Sequence, residues 1–195
     1  MVADRYSTLQ SRLIAAAHSN WILPVLLLVQ VAETTFVPMP YEALFVALCA
    51  AARQRIWLFV LITTAGSAIA GSIMYALGAS FAGPVAEWLG AQATLAELQA
   101  VIDERGASFI LLGGTTPAPS YLINFAAGAS AFPYIQFVLL FAASRFARFL
   151  ILGAVVYFFG ESIAAFWQRL PIWLRRMLWA VLITALVYWF VSGFV

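Results

Sequence analysis

The chain contains no lysine, one cysteine and one histidine in 195 residues. Charged residues of all kinds make up 9% of it, against about 25% in an ordinary soluble domain. Each shortage excludes something. One cysteine, Cys49, rules out a disulfide framework and a cysteine-based metal site. One histidine, His18, removes most histidine-dependent chemistry. A net charge of +2, carried by ten Arg against eight acids, is too small for a nucleic-acid surface. What remains is apolar: 65% hydrophobic residues and a mean hydropathy of +0.98. Neither a water-soluble globular domain nor a disordered chain has that composition. No cleavable signal peptide is expected, since Ala15, Ala16 and Ala17 precede the first apolar run instead of following it.

The pattern predicts an all-α polytopic membrane protein in a single integral membrane domain, 1–195. An interfacial amphipathic helix is expected at 7–17, where Ser7 and Gln10 have capping-box spacing and Leu9, Leu13 and Ile14 share a face. Residues 21–52 are apolar but interrupted by Glu33, Pro38, Pro40 and Glu42. Two prolines two apart cannot continue a helix, so the segment reads as half-helices 21–32 and 41–52, each too short to cross a bilayer. A full span is predicted at 56–81, with small pairs Gly66/Ala70 and Ser67/Gly71 that let another helix come close, and with Gly83-Pro84 ending it. A second amphipathic helix follows at 94–105, opened by Thr94 and Glu97 and stopped at Gly106; Leu95, Leu98, Val101 and Ile102 share its face. Residues 107–131 form the second broken segment, interrupted at Gly113–Pro119, and spans at 134–159 and 177–195 complete the chain.

The two breaks match. Pro38 and Pro40 stand 79 residues before Pro117 and Pro119, and each break precedes a full span. That is an internal repeat, and paired proline-interrupted segments point to a midplane transport site. The arginines choose the topology. If both broken segments re-enter, Arg5, Arg12, Arg53, Arg55, Arg169, Arg175 and Arg176 share one side, which is cytoplasmic. Glu87, Glu97, Asp103 and Glu104 then lie outside against Arg105 alone. The expected result is an inverted repeat of two re-entrant hairpins with about three transmembrane helices, N-terminus cytoplasmic and C-terminus external.

These residues resemble a known family. Glu33-Thr34-Thr35-Phe36-Val37-Pro38-Met39-Pro40-Tyr41-Glu42 is similar to the E-x-x-x-x-P-x-P-x-E stretch of the DedA family, also called SNARE-associated or VTT-domain membrane proteins. Gly66, Gly71, Tyr75 and Gly78 fit its glycine-rich span. Thr116-Pro117-Ala118-Pro119, Asn124-Phe125-Ala126-Ala127-Gly128 and Ser144-Arg145-Phe146-Ala147-Arg148-Phe149 resemble its YqaA-like branch. Many members carry R-F-x-P-x-x-R at the second break, where Gly114 and Ser120 take the two arginine places here. The resemblance implies a flippase or scramblase of an anionic lipid or lipid-linked phosphate, such as undecaprenyl phosphate or a phospholipid, in the cell inner membrane.

Four charges fall at membrane depth: Glu33, Glu42, Arg145 and Arg148. Facing lipid at a helix centre each costs at least about 2.5–3.5 kcal/mol, so they face protein or a water-filled cavity and pair. Arg145 and Arg148, three apart, share a helix face. They read either as an anion site, since a guanidinium grips phosphate bidentately, or as structural partners of Glu33 or Glu42. Thr116 and Asn124 complete the candidate substrate-binding set, with Pro38, Pro40, Pro117 and Pro119 as the hairpin breaks. Tyr41 and Ser120 begin half-helices near the midplane, where free N–H groups suit an anionic headgroup. No cofactor or metal is expected. Protons are a candidate coupling ion, a homodimer is a candidate assembly, and no nucleic acid is involved.

Three rival readings stand beside this one. An ion- or proton-coupled small-solute transporter would use the same charges. A structural or assembly protein would explain tight packing without the matched breaks. An intramembrane lipid-phosphate enzyme needs a nucleophile with a base, or a metal, and the sequence has no Gly-x-Ser-x-Gly or two-Asp motif for it; the chain is expected not to be an enzyme. The topology is testable: cysteines placed at Ala91 or Ala100 should react with an impermeant reagent from outside, and cysteines at Gln54 or Gln168 should not. Labelling at Gln54 from outside would mean that the first broken segment crosses.

Overall fold

A computed structural model describes residues 11, 13–35, 41–90, 92–115 and 120–169, with backbone alone at 89, 115 and 161–169. Every described element is helical. Residues 13–18 are helical and lead to α1 (Ile22–Thr35); α2 (Tyr41–Ala51), α3 (Ile56–Leu89), α4 (Gln92–Thr115), α5 (Ser120–Ala129) and α6 (Tyr134–Arg169) follow. The chain divides after Tyr157 into two compact units. The account below concerns the first; in the second, residues 158–169 are helical.

Several boundaries differ from expectation for identifiable reasons. α1 continues three residues past Ala32, so Glu33, Thr34 and Thr35 are helical; a proline disfavours helix at its immediate predecessor, not five residues back. α3 runs on to Leu89 instead of stopping at Gly83-Pro84, with a break in helical geometry at Phe81. Pro84 falls in the first turn after that break, where its missing N–H costs nothing. α4 starts at Gln92, which puts Thr94 inside its first turn. Gly106, at φ +46°, divides α4 in the middle, a backbone conformation that glycine alone adopts easily. α6 extends beyond 159 to Arg169. Residues 1–10, 12 and 170–195, and with them most of the expected interfacial helix and the last span, lie outside the described residues.

Two apolar clusters hold the first unit. Leu26, Phe45, Leu48, Phe59, Val60 and Phe149 join α1, α2, the start of α3 and α6. Ile102, Ile110, Ala126, Phe137 and Phe141 join α4, α5 and α6. Leu95 and Leu98 pack on this second cluster, which explains the apolar face of the first half of α4.

Close helix contacts need small residues, and α3 supplies them. A Cβ at Gly66 would stand 3.1 Å from the Leu27 carbonyl oxygen of α1. A Cβ at Gly78 would overlap the Phe125 carbonyl of α5, and one at Gly128 would overlap the Tyr75 carbonyl of α3. The α3–α5 contact is therefore backbone against backbone, locked from both sides. α2 lies instead on α6 through rings: Tyr41 meets Phe149 edge-on at 5.9 Å and Phe45 packs tilted against it at 5.0 Å.

The ends of the broken segments close on themselves. Arg55, just after α2, donates to Ala17 O (3.0 Å), Ser19 O (3.1 Å) and Asn20 Oδ1 (2.9 Å), just before α1. A Cβ at Gly106 would stand 3.6 Å from the Phe132 ring, at the far end of the second segment. Tyr75 OH donates to the Phe132 carbonyl and Tyr134 OH to Ser72 Oγ, whereas Gly153 packs on Ile56. α3 and α6 are thus antiparallel.

The surface inverts the soluble pattern. Trp57, Leu61, Leu139 and Ile151 are exposed, while Gln30, Thr34, Thr63, Ser67, Asn124, Ser144 and Arg145 are buried. Among the described residues two helical stretches, Arg53–Trp88 and Tyr134–Gly160, are long and apolar enough to cross a membrane.

The glycine lock generates a prediction. Gly78→Ala should destabilise the protein by about 1–3 kcal/mol, the usual cost of overpacking, because it meets backbone that cannot move aside. Gly83→Ala, with nothing within 4 Å of its Cβ position, should not. Thermal unfolding of both variants in detergent decides it, and equal melting temperatures would refute the lock.

Candidate functional site

The charged residues gather where the half-helices meet α3 and α6. α1 carries a local network: Gln30 Nε2 donates to Thr34 Oγ1 (2.7 Å) and to Glu33 Oε2 (3.1 Å), and Thr34 donates to Glu33 Oε2 (3.0 Å). The spacing one, three and four makes this possible, since residues a turn apart share a face. Glu33 therefore has neutral donors of its own. At the start of α2, Tyr41 OH bonds Thr63 Oγ1 of α3 at 2.7 Å. Glu42, in the first turn of α2, accepts from Arg148.

That pair is one of those the sequence leaves open. Arg145 and Arg148 had two acids to choose from, and Arg148 takes Glu42. The pair is not sealed: the Glu42 side chain is 50% exposed and that of Arg148 17%. Arg145 is different. It is 5% exposed, its guanidinium lies 5.0 Å from the centre of the Phe141 ring, and its Nε has no hydrogen-bond partner. No carboxylate within 4 Å pairs with it among the described residues. Glu33 and Glu42 attract it through space and Arg148 repels it.

Asn124 lies in α5 facing α3, entirely buried. Its Nδ2 is 3.5 Å from the Cβ position of Gly71, which also abuts Phe141. Neither amide atom has a partner among the described residues, where such a residue often makes a satisfied interhelical bond. Ser67, one turn from Gly71 on the same face of α3, has a buried hydroxyl in the same condition. Ser144 Oγ donates to the Phe141 carbonyl at 2.7 Å and occupies the space against Gly114; the close fit leaves no room for a larger side chain at 114. Thr116, Pro38, Pro40, Pro117 and Pro119 lie outside the described residues. Among those described, no cluster of three His, Cys, Asp or Glu could hold a metal.

Gln30 and Thr63 were not singled out from sequence, and Ser67, Tyr41 and Ser144 stood out there only as a packing residue, a half-helix start and part of a motif. The available signal was their position: Gln30 is one turn before Glu33 and Ser144 adjoins Arg145, each a polar side chain inside an apolar run.

Buried polar residues under an apolar exterior, on helices of spanning length, define a helical membrane protein. The chain belongs to the VTT-domain (DedA/SNARE-associated) family, whose model matches residues 39–158. VTT-domain proteins are membrane proteins. The chain is also similar to an uncharacterized protein of Haemophilus influenzae, with 24% identity over 162 residues, 82% of this chain and 83% of that one. No solved structure matches significantly.

The Glu42–Arg148 pair makes a measurable prediction. In a double-mutant cycle with alanine, read by thermal unfolding, the two residues should couple by roughly 0.5 kcal/mol or more. Glu33 and Arg148 should couple less, since Glu33 is held by Gln30 and Thr34. The reverse order would assign Arg148 to Glu33.

Proposed function

We propose that this protein moves an anionic lipid or lipid-linked phosphate between the leaflets, binding the headgroup at Arg145 near the bilayer midplane. The observation that carries the reading is Arg145 itself. A guanidinium buried at membrane depth without a bonded carboxylate is costly unless a ligand supplies the missing anion. Its guanidinium lies against the Phe141 ring face, which tolerates a cation, and its Nε is unbonded among the described residues. α2 and α5 begin beside this centre, and the positive ends of their dipoles add to the attraction for a phosphate.

Opposed re-entrant hairpins fit the contacts. The first broken segment closes at the Ile56 end of α3 and the second near Tyr75, a rise of roughly 28 Å along α3, close to the hydrocarbon thickness of about 30 Å. Each hairpin also splits its packing in the same way. α1 lies on α3 and α2 on α6; the second half of α4 meets α6 at Gly114–Ser144, and α5 lies on α3. This is what an inverted repeat around a midplane site requires. In this reading the protein sits in the inner membrane with its N-terminus in the cytoplasm, works without a cofactor and is not an enzyme. The short match to the YqaA-like branch, protons as coupling ion and a homodimer belong to the same proposal.

The test is reconstitution in liposomes with a fluorescent anionic phospholipid, following the label's exposure to a membrane-impermeant quencher. The wild-type protein should move it; Arg145→Lys should slow movement roughly tenfold or more, because an ammonium lacks the planar fork. Movement unaffected by both Arg145→Lys and Arg145→Ala would remove Arg145 from the site. Chemical conversion of the lipid without movement would favour an enzyme.

A further inference from the structure

Three buried polar groups have no partner among the described residues: the Asn124 amide, the Ser67 hydroxyl and Arg145 Nε. Phe141 links them, closing on Gly71 beside Asn124 Nδ2 and carrying the Arg145 guanidinium on its ring, with Ser67 one turn from Gly71 on the same helix. They come from α5, α3 and α6. Each is more than nine-tenths buried, and an unsatisfied buried group costs about 1–3 kcal/mol. Three such groups together, on three different helices, describe a site built for something polar.

Their chemistry restricts the occupant. Arg145 only donates, so it wants an anionic acceptor. Asn124 has an unpartnered acceptor, Oδ1, as well as an unpartnered donor, Nδ2. The statement holds whichever way the amide is turned, because both ends lack partners. The Ser67 hydroxyl also donates and accepts. An ionised phosphate diester offers acceptors alone and would leave Asn124 Oδ1 bare. A hydroxyl fills it.

We infer that the site takes a polyol phosphate headgroup, with its phosphate on Arg145 and a neighbouring hydroxyl between Asn124 and Ser67. The inference rests on the transport reading for its setting and names the substrate class: glycerol- or sugar-phosphate headgroups over phosphate esters that carry no hydroxyl. Asn124 is then the specificity-determining residue. A site that hydrogen-bonds a hydroxyl discriminates strongly against an analogue lacking it, because its own groups are left unpaired.

Binding, not transport, is the cleanest test. The full-length protein in neutral detergent is melted with added phosphatidylglycerol or phosphatidylmethanol. The two lipids share the diester and the charge and differ in the glycerol hydroxyls. Half-maximal stabilisation should need roughly tenfold less phosphatidylglycerol. Asn124→Leu, close in volume, should fold and lose that preference while still binding phosphatidylmethanol; Ser67→Ala should reduce the preference without abolishing folding. A parallel arm with soluble glycerol 1-phosphate against methyl phosphate distinguishes a lipid headgroup from a free polyol phosphate, and a glycerol preference in either arm supports the inference. Equal stabilisation within both pairs overturns it, as does a preference that survives both substitutions. If the preference is present but liposomes show no lipid movement, the transport reading falls and the binding site stands.

Discussion

The constraint on which the structure depends is the cost of a polar group in hydrocarbon. A bilayer core has no water to satisfy a buried amide, hydroxyl or charge. A chain with this composition therefore has one economical arrangement, with apolar residues facing lipid and the few polar residues facing one another. The helices obey it. Trp57, Leu61, Leu139 and Ile151 point outward, and nine polar or charged residues among those described, Arg145 included, are buried. The same constraint governs the breaks. A helix that ends inside the membrane leaves backbone groups unpaired, and that is tolerated only where protein or a cavity surrounds them. In the proposed hairpin arrangement α1, α2 and α5 have their inner ends at the polar centre, with Glu33, Glu42 and Asn124 near those ends.

Backbone closeness follows from this arrangement. Short helices bury little surface, so α5 cannot be held to α3 by large side chains alone. The reciprocal glycines, Gly78 against Phe125 and Gly128 against Tyr75, bring the axes together and put many atoms in contact at once. The contrast with α2 is physical. α2 rests on α6 through the Phe149 ring and through an ion pair open at one side. Rings slide and an exposed pair exchanges more readily than interlocked backbones do. If one half-helix moves while the other stays, α2 is the one whose contacts permit it.

Much of this was legible from residue order, and the reasons differ by element. Hydrophobic length and proline spacing were enough to separate half-helices from spans, because both act locally. The division of α4 at Gly106 was legible for the same reason. The continuation of α3 past Pro84 was not, since it depends on Phe81 leaving helical geometry first and so turning an interior proline into a first-turn one. At the site, membrane depth alone picked out Glu33, Glu42, Arg145 and Arg148. Their partners were not legible. Pairing depends on which face of α6 turns to which half-helix, and a spacing of three puts both arginines on one face. Gln30 was hidden because a single glutamine in an apolar run carries no periodic signal, and Ser67 was legible only as a small packing residue.

That pairing leaves the two arginines in different surroundings. Glu42 neutralises Arg148, and Glu33 is occupied by Gln30 and Thr34, which hold it in place without cancelling its charge. The four charges sum to zero, yet they are not matched two by two: one carboxylate is solvated by neutral donors and one guanidinium lies on a ring. In the proposed transport reading, an anion arriving at Arg145 would not first have to break a salt bridge with any of the described residues. Had Glu33 bonded Arg145 directly, every arriving phosphate would have to displace a buried carboxylate, and separating such a pair costs several kcal/mol. In that reading the network on α1 would avoid the competition, because Glu33 has partners within its own helix.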